Sequence, residues 1–171
     1  MNMKTYINSI KIAICLFILN GCIGYSLQPT LPDGIKSVAI KPIINKTSEP
    51  AIEIKVQEAL AEFIQLDGRL ELTNQSEADA IIEITLTRYV NNPIAFKSNT
   101  REFSPKTYLQ GVHATALLRN STTGEIISKT INHGESVFDF EFDISNSKRN
   151  VFSNAADELV RMIYTDLIEQ W

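Results

Sequence analysis

Val151, Ala155, Leu159, Ile163 and Leu167 recur at every fourth residue near the end of the chain, flanked by Phe152, Ala156, Val160 and Ile168. A stripe that broad suits a helix lying on a sheet. The sheet is written upstream. Ala80, Ile82, Ile84 and Leu86 alternate with Glu83, Thr85 and Thr87, the pattern of a half-buried strand. Val112, Ala114, Ala116 and Leu118 repeat it against His113 and Thr115, and Thr122-Thr123-Gly124-Glu125 reads as a hairpin turn into a strand over residues 126–131. Phe138, Phe140 and Phe142 alternate with acids, as one more strand or an extended arm.

Earlier in the chain, Ser37-Val38-Ala39-Ile40-Lys41-Pro42-Ile43-Ile44 reads as a strand that ends at Pro42 or lies at an edge, because proline donates no ladder hydrogen bond. Asn45-Lys46-Thr47 is turn chemistry, and Pro50 suits a first helical turn. Ile52, Val56, Ala59, Leu60 and Phe63 then step at helical spacing toward a stop near Asp67-Gly68. Leu70-Glu71-Leu72 is a brief strand. The order is β-α-β, a run of antiparallel strands, then α. It predicts an α+β fold with an antiparallel or mixed β-sheet of four to six strands and two helices packed on one face.

The amino terminus has a different layout. Lys4 and Lys11 are the charges before Cys22, and an apolar core from Ile12 to Leu19 follows them. That core is too short for comfortable membrane spanning and reads as a secretory signal. It ends in Leu19-Asn20-Gly21-Cys22, which resembles the bacterial lipobox; the bland alternative is an ordinary signal with a fortuitous cysteine. The resemblance implies acylation of Cys22, removal of residues 1–21, and anchoring by several acyl chains, since one chain alone binds only marginally. Ile23 is not acidic, which by analogy with enterobacterial sorting favours the outer membrane. Residues 22–34 form a short tether and residues 35–171 a single domain. Cleavage removes two lysines and leaves 14 basic against 20 acidic residues, a net charge near −6. An acidic total argues against nucleic acid as a partner. Cys15 leaves with the signal, so neither a disulfide nor a cysteine-based metal site is available within the mature chain.

Catalytic constellations are missing. His113 and His133 read as surface residues within or at the end of strands, with a catalytic or metal role as the alternative, and Glu77 and Asp79 as loop residues before a strand. No Gly-x-Ser-x-Gly elbow, phosphate-cradling loop or His-x-x-Glu-His-type pair is written in the chain, so it is expected to be no enzyme and to need no cofactor. Residues 91–107 stand apart. Read as a loop between strands, they hold Lys97, Arg101 and Lys106 with Phe96 and Phe103, and Glu102 as the acid. Such a loop suits an anionic, lipid-bearing ligand, with cations for phosphates and aromatics for acyl chains or sugars. The alternative is a solvated loop whose aromatics fold back on the core.

Taken together, the mature chain resembles the LptE family of lipopolysaccharide-assembly lipoproteins. Cys22-Ile23-Gly24-Tyr25 is similar to that family's Cys-Gly-Tyr start with one residue inserted, and residues 37–50 to its first strand and Asn-x-Thr turn. Glu53, Gly68-Arg69-Leu70, Glu77-Ala78-Asp79-Ala80, Tyr108 and Thr123-Gly124-Glu125-Ile126 follow in the family's order. The resemblance implies a non-enzymatic plug in the lumen of the outer-membrane β-barrel that inserts lipopolysaccharide, an aid to that barrel's assembly and a binder of lipopolysaccharide in transfer. Lys97, Arg101 and Lys106 are then the ligand-binding candidates. The rivals are a periplasmic activator of a peptidoglycan synthase, which would want a longer Pro-rich tether, and a secretion-channel lipoprotein of the curli type, which would want longer hairpins. A hydrolase is a distant fourth.

Overall fold

In the computed structural model, which describes residues 31–32, 34–96, 105–139 and 144–169, six strands and two helices form one α+β unit. Strand β1 is Ser37–Ile40, β2 Ile44–Asn45, β3 Glu71–Leu72, β4 Ala80–Phe96, β5 Pro105–Asn120 and β6 Ile126–Asp139. Helix α1 is Ile52–Asp67 and α2 Ile144–Ile168. The sheet runs β3-β1-β4-β5-β6, with β2 paired to β4. Pairing is parallel among β1, β2, β3 and β4 and antiparallel through β4, β5 and β6. Short strands thus make the parallel side, and three long strands make an antiparallel arm.

Both helices cover one face. Ala80, Ile82, Ile84 and Leu86 of β4 and Val112, Ala114, Ala116 and Leu118 of β5 meet Val56, Leu60 and Ile64 of α1 and Leu159, Ile163 and Leu167 of α2 in a single buried core. The alternation of the strands and the four-residue step of α2 thus point at one another. Gly134 of β6 lets α2 come close, since a Cβ there would lie 2.2 Å from the Ala155 carbonyl oxygen and 2.5 Å from the Leu159 nitrogen.

Pro42 divides the predicted first strand. β1 stops at Ile40, and the chain rejoins the sheet as β2, where Ile44 lies opposite Thr85. The turn that follows is built on Asn45. Its Nδ2 donates to the Glu49 carbonyl (2.8 Å) and to Glu53 Oε2 (2.7 Å), while its Oδ1 accepts from the backbone and hydroxyl of Thr47 (both 2.8 Å). These bonds hold a bend ending at Ala51, whose φ of 63° is the left-handed region that a residue with a Cβ enters at a cost. At the other end Gly68 caps α1 in the same region at φ 68°, as Asp67-Gly68 predicts.

The reading of residues 91–107 as a loop needs correction. Asn91 to Phe96 continue β4, and Pro105 to Thr107 open β5, in a ladder that reaches Phe96 opposite Pro105. Phe138 lies in β6, whereas Phe140 and Phe142 fall outside the described residues.

Candidate functional site

The antiparallel arm ends at Phe96 of β4, Pro105 of β5 and Asp139 of β6. Cys22, Lys97 and Arg101 lie outside the described residues, so Lys106 alone of the expected site residues is placed, exposed near the start of β5. Next to it Thr107 donates a hydrogen bond to Asp139 of β6 (2.6 Å). Tyr108 and Phe138 face each other in the ladder and stack with centroids 5.5 Å apart. Ile94 and Val137 are more than half exposed and Phe96 is 43% exposed, so apolar side chains are exposed on the same end of the sheet as the lysine. The arm therefore ends in an aromatic and aliphatic surface with a cation on it. Further down, Tyr89 lies against Phe152, and burial pushes its phenol up to about 12. Gln110, fully buried beside it, donates from Nε2 to the Tyr89 hydroxyl (3.1 Å) and has no partner for Oε1.

On the face turned away from the helices, Glu83 accepts from Lys41 (2.5 Å) and Arg119 (3.3 Å). These two cations hold its carboxyl below the usual range against the opposing effect of burial. His113 and His133 lie on that face too, with their rings stacked 5.4 Å apart. Burial, then the neighbouring His133, lowers the His113 pKa. Neither histidine stands within an acid–base arrangement. Among the described residues no group of three or more His, Cys, Asp and Glu could hold a metal ion, and no helix is long and apolar enough to cross a membrane.

Two polar networks escaped sequence reasoning. Asp79 Oδ2 accepts from the backbone N–H groups of Lys36 and Ser37 and from the Ser37 hydroxyl, all at 2.9 Å, and so clamps the start of β1 beside β4. The Ala-Asp segment before β4 is thus a structural joint. At the C-terminal ends of the two helices, Arg69 reaches Asp67 (2.8 Å) and Glu169 (2.7 Å), and the buried Tyr164 hydroxyl donates to Asp67 (2.5 Å). Burial by itself would raise the Asp67 pKa, but the bonds from Arg69 and Tyr164 outweigh it and leave it lowered. Burial, then the bond to Asp67, pushes the Tyr164 phenol up.

Asp67, Asp79 and Glu83 all have lowered folded-state values. Groups shifted that way stabilise the fold fully above their unfolded values, roughly 4, and lose that contribution as pH falls through the folded ones. The urea midpoint should therefore fall as the pH drops below about 4. Asp79→Asn should flatten that fall, because it removes one of the titrating clamps.

Comparison with family models and with curated protein sequences finds no match to this chain. Solved structures do match. The hypothetical protein CT253 of Chlamydia trachomatis is similar at TM-score 0.55 and 10% identity, over 77% of this chain and 94% of that one. A Caulobacter crescentus protein described as a lipoprotein matches at TM-score 0.51 and 14% identity, over 74% and 87%. A variant of the PelC dodecamer from Paraburkholderia phytofirmans matches at 0.51 and 14%, over 84% and 96%. The fold is one found among bacterial lipoproteins. At these identities the likeness is one of fold alone.

Proposed function

We propose that this chain is a non-enzymatic, lipid-anchored outer-membrane protein that plugs the β-barrel inserting lipopolysaccharide and helps that barrel assemble. One observation carries the reading: the segments similar to the LptE family fall on the joints of this fold. Asn45, Thr47 and Glu53 shape the β2–α1 bend, Gly68 caps α1, Asp79 clamps β1, and Gly124, at φ 74°, turns β5 into β6. The uncovered sheet face, with Lys41, Glu83 and Arg119 at its centre, suits a polar lumen. Five strands side by side span about 20 Å at ~4.8 Å each, so the host must be a wide barrel of the plugged, roughly 22-stranded class. Lys106 offers a cation to lipopolysaccharide phosphates at the end of the arm, and Lys97 and Arg101 add two more in the sequence that joins β4 to β5.

A secretion-channel subunit is the second reading, and the arm favours it. The strands run to 14, 16 and 17 residues, and the parts of β4 and β5 beyond the core residues Ala80–Leu86 and Val112–Leu118 make a longer hairpin than the sequence pattern suggests. The similarity to a protein that forms a dodecamer points the same way. Photocrosslinkers at Ile94, Lys106 and Val137 separate the two. The plug reading expects adducts to one large barrel protein, and reversal of Lys97, Arg101 and Lys106 together should weaken lipopolysaccharide binding while the barrel still copurifies. Adducts between copies of this chain would establish the channel instead, and adducts confined to a peptidoglycan synthase would overturn both.

A further inference from the structure

The chain has two histidines, twenty residues apart, and the sheet sets them directly opposite each other: His113 of β5 faces His133 of β6. The kind of pair follows from a neighbour. The Glu135 backbone N–H is bound by the Glu158 carboxylate of α2 (2.9 Å), so it points away from β5. His133, two residues before it on the same strand, has its backbone turned outward as well. The histidines are therefore a non-hydrogen-bonded pair, the closer of the two antiparallel pairings, with Cα atoms about 4.5 Å apart and side chains in contact. Their rings stand 5.4 Å apart and 20° from parallel on the face that the helices leave uncovered. From these positions we infer a two-histidine chelate site for a borderline transition-metal ion of the Zn2+, Ni2+ or Cu2+ class.

Metal–nitrogen bonds of about 2.0–2.1 Å put two tetrahedral donor nitrogens roughly 3.3 Å apart. Stacked rings on a cross-strand pair reach that spacing by turning their side chains toward each other, with no movement of the backbone. His133 is exposed, so its ring has room to turn. The surrounding charge is mixed. Glu135 follows on the His133 side, and its side chain drapes over Gly111, where a Cβ would lie 3.6 Å from its Cγ. Arg88 of β4 lies opposite His113 from the other side. Imidazole selects Zn2+, Ni2+ and Cu2+ over Mg2+ and Ca2+, which favour oxygen. With two protein ligands and water completing the shell, the ion exchanges readily and the fold does not depend on it. The site stands independently of the plug reading, because both histidines lie away from the arm's end and from the networks that hold the helices.

The test uses the untagged mature protein in detergent micelles, stripped of metal and titrated calorimetrically with ZnCl2, NiSO4 and MgCl2. One equivalent of Zn2+ or Ni2+ should bind, and Mg2+ should not. His113→Asn and His133→Asn should each weaken binding roughly tenfold or more, as loss of half a chelate requires, while melting like the parent without metal. Absence of saturable Zn2+ binding, or equal binding by the two asparagine variants and the parent, overturns the site.

Discussion

Replacing Gly134 by valine is expected to leave the domain unable to fold. The position lies in β6 directly beneath α2, and a Cβ there would sit 2.2 Å from the Ala155 oxygen, 2.5 Å from the Leu159 nitrogen and 2.8 Å from its Cβ. Two of those three atoms are helix backbone, so no side-chain rotation relieves the contact. Helix and strand must separate, and α2 would withdraw Leu159, Ile163 and Leu167 from the core they fill. Overpacking by a side chain usually costs about 1–3 kcal/mol; a clash with helix backbone should exceed that. Two variants bracket the effect. Leu159→Ala empties the same contact from the helix side and should cost about 2–5 kcal/mol, the range for a buried leucine. Gly111→Ala, whose new Cβ meets the Glu135 side chain at 3.6 Å and the Gly134 carbonyl oxygen at 3.8 Å, both ordinary contact distances, should be tolerated. Far-ultraviolet circular dichroism and urea melts of a soluble chain that begins after Cys22 read all three. A Gly134→Val protein that melts like its parent would mean that α2 does not rest on β6.

The contact behind that prediction shows where sequence reasoning stops. The stripe of α2, the alternation in the first half of β4, the break at Pro42 and the stop at Gly68 are all local patterns, and all are legible. Gly134 is one glycine in a polar stretch, and only the helix above it gives it meaning. The second half of β4 was hidden for a related reason. Asn91-Asn92-Pro93 has loop composition, yet it lies in a strand. β2 pairs with β4 at Thr85 and Leu86, and past that point β4 has a neighbour on the β5 side alone. An edge tolerates proline because the missing N–H faces no partner. Asp79 and Arg69 were invisible in another way: their partners lie 42 and 100 residues distant in sequence. Of the candidate site, the cation at Lys106 and its aromatic company were legible as composition. Their setting on a paired arm was not.

The largest functional effect is expected at the anchor. Cys22→Ser should abolish lipid attachment outright, because hydroxyl oxygen does not replace the thiol in the alkylation that a lipobox directs. The precursor should then persist with residues 1–21 uncut, since the lipoprotein peptidase acts after the lipid is in place. Folding should be unaffected: every contact in the described core lies between Leu31 and Ile168, beyond the cysteine. The two consequences are separable by experiment. Labelled palmitate should enter the parent and not the serine variant, while both show the same cooperative urea transition. If the domain works at an outer-membrane barrel, the serine variant should also lower the amount of folded barrel, because no lipid then fixes residues 22–34 at the outer membrane and the local concentration of the domain there drops. Palmitate in the serine variant would disprove the anchor itself. A normal barrel level in cells carrying only the serine variant would leave the lipid in place but remove its role in assembly, and the plug would have to find its barrel by surface complementarity alone.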